Sequence, residues 1–324
     1  MKQNRHVTQD TRDMLYGHDS YDTYNSQANK QRIQRVTIIG HGSVGSALRD
    51  QFRKEGTLYS VWDRKAGACE PPEIDSRGSE MKNVRRTRPE FDNDLGDWIF
   101  LSVPDGALET VVQQLLDLPC SWAQRTVVHL SGMLSPDLLR PLAEKGAGTG
   151  SIHPLQTFSG VSSRKSLQGI FYSLMGDPET IAAMAEWVTA LRGKSTVVSQ
   201  KQKEQLHLAA VFASNYMMAL FHVADDLLEN GIRFDVLEPI LETTLRNALA
   251  KGPESALSGP VRRGDAGTVQ KHLSMLASDP LRHEMYRLLG LEALKITEKA
   301  ELTPDPEKAA NLAALKEILS RGPT

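Results

Sequence analysis

Apolar positions along this chain fall into two regimes that meet near Gln200. Before it, short apolar runs alternate with segments of helical period; after it, every periodic segment is helical. Val36-Thr37-Ile38-Ile39 suits a buried strand and breaks on Gly40-His41-Gly42-Ser43-Val44-Gly45, and a helix is predicted over 44–54, stopping at Gly56. Leu58 to Trp62 reads as a second strand ending at Asp63. Residues 98–103 form a buried strand closed by Pro104-Asp105, with Asp105 capping a helix that runs to about Leu116. Further strands are predicted at 127–130, at 150–152 leading into His153-Pro154, at 171–174 and at 196–198. A short helix near Pro136 and a longer one from Pro178 to Leu191 separate them. Alternation of this kind predicts an α/β domain with a mostly parallel, Rossmann-type sheet, and an all-α domain follows it. The boundaries are a disordered polar tail over 1–34, the sheet domain over 35–200 and the helical domain over 201–324. Residues 64–96, with Pro71-Pro72 and the cluster Arg85, Arg86 and Arg88, show no clear element beyond an abbreviated helix and strand.

The helical half is dominated by one predicted helix, 203–229, closed by Asn230-Gly231. Its middle is apolar around most of its circumference, which predicts burial on most sides. His207, Ser214, Asn215, Met218 and His222 share one stripe of it. Polar groups on a buried helix need partners, since each unpaired one costs about 1–3 kcal/mol. Those partners are other helices or a substrate. Such a helix needs more cover than one small helical domain offers, so a homodimer through this domain is expected. Further helices are predicted at 234–250, 265–277, 280–299 and 306–320, with an irregular loop over 258–265 and Asp265 capping the helix after it.

Composition narrows the setting more than the chemistry. Hydrophobic residues make up 40% and charged residues 24% of 324 positions, and the net charge of −2 provides no basic field for nucleic acid or anionic membrane. Cys69 and Cys120 have no metal-binding spacing, so no metal site is expected and a reducing cytoplasm fits. No apolar run approaches the ~20 residues of a membrane span.

The chemistry-bearing pattern is the glycine loop. Gly40 permits a tight turn, Gly42 lets the backbone approach a pyrophosphate, and Gly45 lets helix and strand pack closely, with His41, Ser43 and Val44 completing the cradle. The helix then turns its free N–H groups and positive dipole end toward phosphate. Asp63 stands where a ribose would be read. In an open α/β sheet ligands gather beyond the C-terminal strand ends, which brings forward Val103-Pro104, Ser131-Gly132 and His153. His207 and Asn215 follow on the helical stripe, and Arg262 and Arg263 in their Gly/Pro loop suit a bidentate carboxylate clamp.

The stretches GHGSVGSAL (40–48), SVPDGAL (102–108), HLSGMLS (129–135), SIHPLQTF (151–158), LHLAAVFASNYMMAL (206–220) and SGPVRRGD (258–265) carry a resemblance. The chain resembles the Rossmann-like oxidoreductases with an all-helical C-terminal domain, the group of 6-phosphogluconate dehydrogenase, ketopantoate reductase and pyrroline-5-carboxylate reductase. More narrowly it is similar to a branch of predicted oxidoreductases whose C-terminal domain has no assigned function. The resemblance implies a nicotinamide dinucleotide, hydride transfer to or from a small anionic oxo or imino acid, and a helical domain that dimerises. His153-Pro154 is similar to a His-Pro of prephenate dehydrogenases, where the histidine is at the active site. In related hydroxyacid dehydrogenases a Lys and an Asn on the corresponding helix handle the substrate oxygen. Asn215 matches the Asn, but Val211 stands where the Lys would be, leaving His207 or His153 as the proton-carrying group. Related reductases select the 2′-phosphate with an Asn-Arg pair; here Asp63 replaces the Asn and Arg64 remains, so NADP(H) is favoured over NAD(H). The missing lysine leaves a second class open, a dinucleotide-binding sensor without catalysis.

Overall fold

A computed structural model describes residues 35–62, 73–74, 80–81, 85–86, 95–158, 167–229, 231–300 and 305–321. The expected tail over 1–34, the pair Asp63 and Arg64 and most of 64–96 lie outside the described residues. The chain divides into two compact units, residues 1–210 and 211–324.

The first unit is built on an eight-stranded sheet in the order β10-β9-β8-β7-β6-β1-β2-β5. Its strands are β1 (Arg35–Ile39), β2 (Leu58–Trp62), the two-residue β5 (Arg85–Arg86), β6 (Trp98–Leu101), β7 (Thr126–His129), β8 (Gly148–Leu155), β9 (Phe171–Gly176) and β10 (Lys194–Val197). A separate antiparallel pair, β3 (Glu73–Ile74) and β4 (Glu80–Met81), lies between β2 and β5 in sequence. All neighbours in the large sheet run parallel except β8 and β9.

Strand alternation sends successive side chains to opposite faces, and each face has its own core. Val36, Ile38, Phe100, Val128 and Ile152 pack on one face with Ala47, Leu48 and Phe52 of α1 (Ser43–Glu55) and with Met184, Trp187 and Val188 of α4 (Pro178–Ala190). Ile39, Ile99, Leu101 and Val127 pack on the other with Leu108, Val112 and Leu115 of α2 (Leu108–Leu116), and with Leu139 and Leu142 at and within α3 (Arg140–Ala143). Phe52 stacks on Trp187 at 5.5 Å and is fully buried, worth about 1.5–3 kcal/mol relative to exposure. Gly56 ends α1 where the sequence predicts the stop, in the left-handed conformation at φ +68.

Two boundaries differ from expectation in ways that shape the site. His153-Pro154 does not leave the sheet, because β8 continues to Leu155 in an antiparallel ladder with β9. Pro154 is tolerated there because pairing with β7 stops at Ser151, so no N–H is needed on that side. The predicted helix over 203–229 is two helices, α5 (Gln200–Ala213) and α6 (Asn215–Asp226), broken where Ser214 adopts φ −126, ψ −65.

The second unit is helical. α9 (Pro260–Arg263), α10 (Ala266–Met275), α11 (Pro280–Ala300) and α12 (Pro306–Ser320) share a core of Val261, Val269, Leu273, Leu294, Leu312, Leu315 and Leu319. Asp265 caps α10 through Thr268 N–H, as its position predicts. The loop expected over 258–265 contains the short helix α9, which carries Arg262 and Arg263. α6 and α7 (Glu238–Lys251) bury none of their residues, and α8 (Pro253–Ala256) joins α7 to α9. The expected burial of the long apolar helix is therefore not met within one chain: Tyr216 is 51% and Met218 54% exposed, and on α7 Leu249 is 77% exposed. The stretch Gln200–Asp226, with a window of mean hydropathy 1.4, is long and apolar enough to cross a membrane, whereas no run of that length is expected from the sequence.

Candidate functional site

The glycine loop sits between β1 and α1 as the sequence demands. Gly40 has φ +99, and a Cβ on it would lie 2.2 Å from the Ser102 carbonyl oxygen. A Cβ on Gly45 would lie 2.1 Å from the Gly40 carbonyl oxygen, so this residue lets α1 press against the loop. Gly42 is different. Among the described residues no atom lies within 4 Å of where its Cβ would be, and it caps α1 without any side-chain hydrogen bond. The first turn of α1 holds no acidic residue, so its unpaired N–H groups face open space beside Ser43 and Val44. This cradle fits a diphosphate. His41 in the loop accepts a 2.9 Å hydrogen bond at Nε2 from Arg49 of α1.

At the next strand ends the residues 102–105 and 129–132 are joined by a polar contact. Ser131 Oγ donates to Asp105 Oδ2 at 2.9 Å and accepts from the N–H groups of Met133 and Leu134. Asp105 therefore does not cap the helix after it, as expected, because its carboxylate is engaged across the strand ends; Pro104 stands at that helical turn's N-cap without a side-chain bond. Val103 packs beside the second core, and its Cγ1 would lie 2.9 Å from a Cβ on Gly40.

His153, on β8, is half-buried, and its Nδ1 lies 3.0 Å from the Leu130 carbonyl. A carbonyl only accepts, so Nδ1 bears the hydrogen and the lone pair is on Nε2. The rings of His153 and His207 meet edge to face at 5.9 Å. Their nitrogens converge over Gly132: a Cβ there would lie 2.4 Å from His207 Nδ1 and 3.0 Å from His153 Nε2. Gly132 is thus required by two imidazoles as well as by its turn. Burial lowers the His153 pKa, with the Lys203 charge acting in the same direction and the Leu130 carbonyl opposing.

Lys203 escapes the sequence pattern, and it is the most informative residue of the site. It is 1% exposed, in the first turn of α5, and its ammonium donates to Ser151 Oγ. Burial pushes its pKa down to about 8, against the pull of the Asp105 carboxylate. His129 lies opposite Ser151 in the β7–β8 ladder and is fully buried. Among the described residues neither of its ring nitrogens has a well-formed hydrogen bond, and burial, followed by the Lys203 charge, lowers its pKa to about 3. The lysine's spacing of four from His207 places both on one face of α5, the signal that could have found it.

Asn215 begins α6 in the second unit, where its Oδ1 accepts from Ser214 Oγ at 2.9 Å. The break at Ser214 means that His207 and Asn215 do not share an unbroken helical stripe. Arg262 and Arg263 border an open cavity of the second unit with Asp305, Glu307, Lys308 and Asn311. Arg262 donates to the Thr297 carbonyl at 3.4 Å and Arg263 pairs with Asp265 at 4.0 Å. Among the described residues no group of three or more His, Cys, Asp or Glu side chains could hold a metal.

Residues 20–154 match the model of a Rossmann-like domain, and residues 170–293 match that of a domain of unknown function, DUF2520. No curated protein matches significantly. Among solved structures, a candidate NADP oxidoreductase from Bacteroides fragilis superposes with TM-score 0.64 at 21% identity, covering 82% of this chain and 98% of its own. A protein from Thermotoga maritima does so with TM-score 0.56 at 22% identity, over 82% and 98%. An imine reductase from Myxococcus stipitatus in complex with NADP+ gives TM-score 0.51 at 17% identity, over 88% and 100%. At these identities the likeness is one of fold. In order along the chain, a Rossmann-like segment is thus followed by a segment similar to DUF2520.

Proposed function

We propose that this protein is a cytoplasmic NADP(H)-dependent oxidoreductase that transfers a hydride to or from a small, anionic oxo or imino acid. The observation that carries this reading is the convergence of His153 Nε2 and His207 Nδ1 over Gly132, beyond the C-terminal end of β7, with the open Gly42 cradle beyond the same end of β1. NADPH, when bound, supplies the hydride. Gly40, Gly42 and Gly45 with the amides of Ser43 and Val44 hold the diphosphate, with His41 in the same loop and Val103, Pro104, Ser131 and Gly132 along the nicotinamide. The preference for NADP(H) is supported by pairing of β5 with β2, which sets Arg85 beside Val61 and Arg86 beside Trp62 at the strand end that Asp63 and Arg64 follow. The NADP+ seen with the Myxococcus stipitatus imine reductase is in keeping with it.

Over Gly132, His153 takes the proton of a hydroxyl or amine through Nε2 in the oxidative direction and returns it in the reductive one, with His207 beside it. Arg262, Arg263 and Asn215 are assigned to the substrate's carboxylate and reacting oxygen or nitrogen. The functional unit is a homodimer. α6 and α7 expose Tyr216, Met218, Leu245 and Leu249 and contribute nothing to the core of their own unit, so a second copy is the natural cover. Membrane insertion of the same stretch is disfavoured by the buried Lys203 and by the backbone break at Ser214.

A panel of oxo and cyclic imino acids, with nicotinamide absorbance as the readout, tests the reading. Turnover with at least one of them, abolished in Asn215→Ala while NADPH affinity is kept, supports it. Tight NADPH binding with no turnover across the panel would instead make the protein a dinucleotide sensor.

A further inference from the structure

Packing alone does not call for an ammonium at position 203. An unbranched apolar side chain would fill the same space without the cost of desolvating a charge. The ammonium is nevertheless anchored there by Ser151 Oγ, with the Asp105 carboxylate near enough to favour its charged form. Asp105 is itself held by Ser131, so the two strand ends and α5 are tied through one charged cluster. The sheet face under Lys203 carries His129 and Ser151 side by side, and His153 follows two residues along β8 on the same face.

The groups that face His153 come from every element packed around it. Lys203 and His207 come from α5, Asp105 from the turn after β6, His129 from β7, and the Leu130 carbonyl from the turn after it. Two of these fix its protonation pattern. The Leu130 carbonyl claims Nδ1–H, and the Lys203 charge adds to burial, the larger cause, in opposing a second proton on Nε2.

We infer that Lys203 is a positioning residue: its buried ammonium, anchored on Ser151 with the Asp105 carboxylate nearby, holds His153 as an uncharged imidazole whose Nε2 lone pair faces the space over Gly132. An acceptor in that place matches a substrate that presents a donor, the O–H of a hydroxy acid or the N–H of an iminium. The inference rests on the reading of His153 as the proton-carrying group, but its test needs neither cofactor nor substrate.

The full-length, cofactor-free protein, labelled with ¹⁵N at the histidine rings, is titrated by long-range ¹H–¹⁵N correlation. In the wild type His153 is expected as the Nδ1–H tautomer, titrating below the ordinary 6.5, with a second inflection near 8 where Lys203 loses its proton. Lys203→Met should move the His153 titration upward, and Lys203→Arg, which keeps the charge, should leave it where the wild type has it. A His153 titration unchanged in Lys203→Met, even with a lowered melting temperature, overturns the inference by leaving Lys203 a structural role only. If Lys203→Met does not fold, the wild-type curve decides: no second inflection in the His153 resonances overturns it equally. A protein without reductase activity would still return one of these results.

Discussion

Alanine at each of Gly40, Gly42 and Gly45 separates what the loop needs in order to fold from what it needs in order to bind. In Gly45→Ala the new methyl would lie 2.1 Å from the Gly40 carbonyl oxygen, a backbone atom that cannot step aside alone. Helix and loop must part, an overpacking strain of about 1–3 kcal/mol. For a chain of this size that lowers the melting temperature by roughly 2–10 °C. Gly40→Ala meets the Ser102 carbonyl at 2.2 Å and also needs φ +99, so its loss should be larger, by the ~1–2 kcal/mol that a side chain costs in the left-handed region. Gly42→Ala meets nothing within 4 Å among the described residues and has φ −73, so its stability should stay within about 0.5 kcal/mol of the wild type. Its methyl instead occupies the approach of the diphosphate. NADPH affinity should fall at least about tenfold, or ~1.4 kcal/mol. Thermal melting without cofactor and calorimetric titration with NADPH read the two effects independently. The reasoning is refuted if Gly42→Ala binds NADPH as the wild type does, or if Gly45→Ala melts unchanged.

His129 binds a proton near 6.5 when unfolded but only near 3 when folded, so the unfolded state takes up the proton first as the pH falls. Stability should therefore decline from about 6.5 downward, by up to roughly 4–5 kcal/mol at pH 3; urea melts across this range should show that slope, and His129→Leu should remove its share. His153→Ala and His207→Ala are expected to lower kcat by about 10²–10⁴-fold with NADPH affinity nearly kept, and a variant that retains full kcat would remove that histidine from the mechanism. Tyr216→Asp with Leu249→Asp should turn a dimer into a monomer in sedimentation velocity; a wild type that sediments as a monomer at micromolar concentration would contradict the assigned interface.

The sheet was legible where local chemistry decides it. β1, the glycine loop, α1 and its stop at Gly56 follow from β-branched residues, φ-permissive turns and a helical period within a few residues of one another. The site was legible only in part, because its contacts are non-local. Asp105 reads as a cap when only its neighbours are considered, yet Ser131, 26 residues away, claims its carboxylate. Lys203 stands in the run Gln200-Lys201-Gln202-Lys203-Glu204, which reads as the solvated start of a helix; only the position of Ser151, 52 residues earlier, reveals that it is buried. The break at Ser214 has no Gly or Pro to announce it. The exposure of α6 and α7 escaped the pattern because periodicity reports that an apolar face wants cover, and says nothing of whether the same chain supplies it.

A crystal structure of the full chain with NADP+ tests the central claim most directly. The account predicts the diphosphate on the amides of Ser43 and Val44 against Gly42, the nicotinamide C4 facing His153 Nε2 and His207, and Asn215 bordering the same cavity. A nicotinamide ring lodged elsewhere, with His153 and Asn215 sharing no cavity beside it, would contradict the account while leaving the fold untouched.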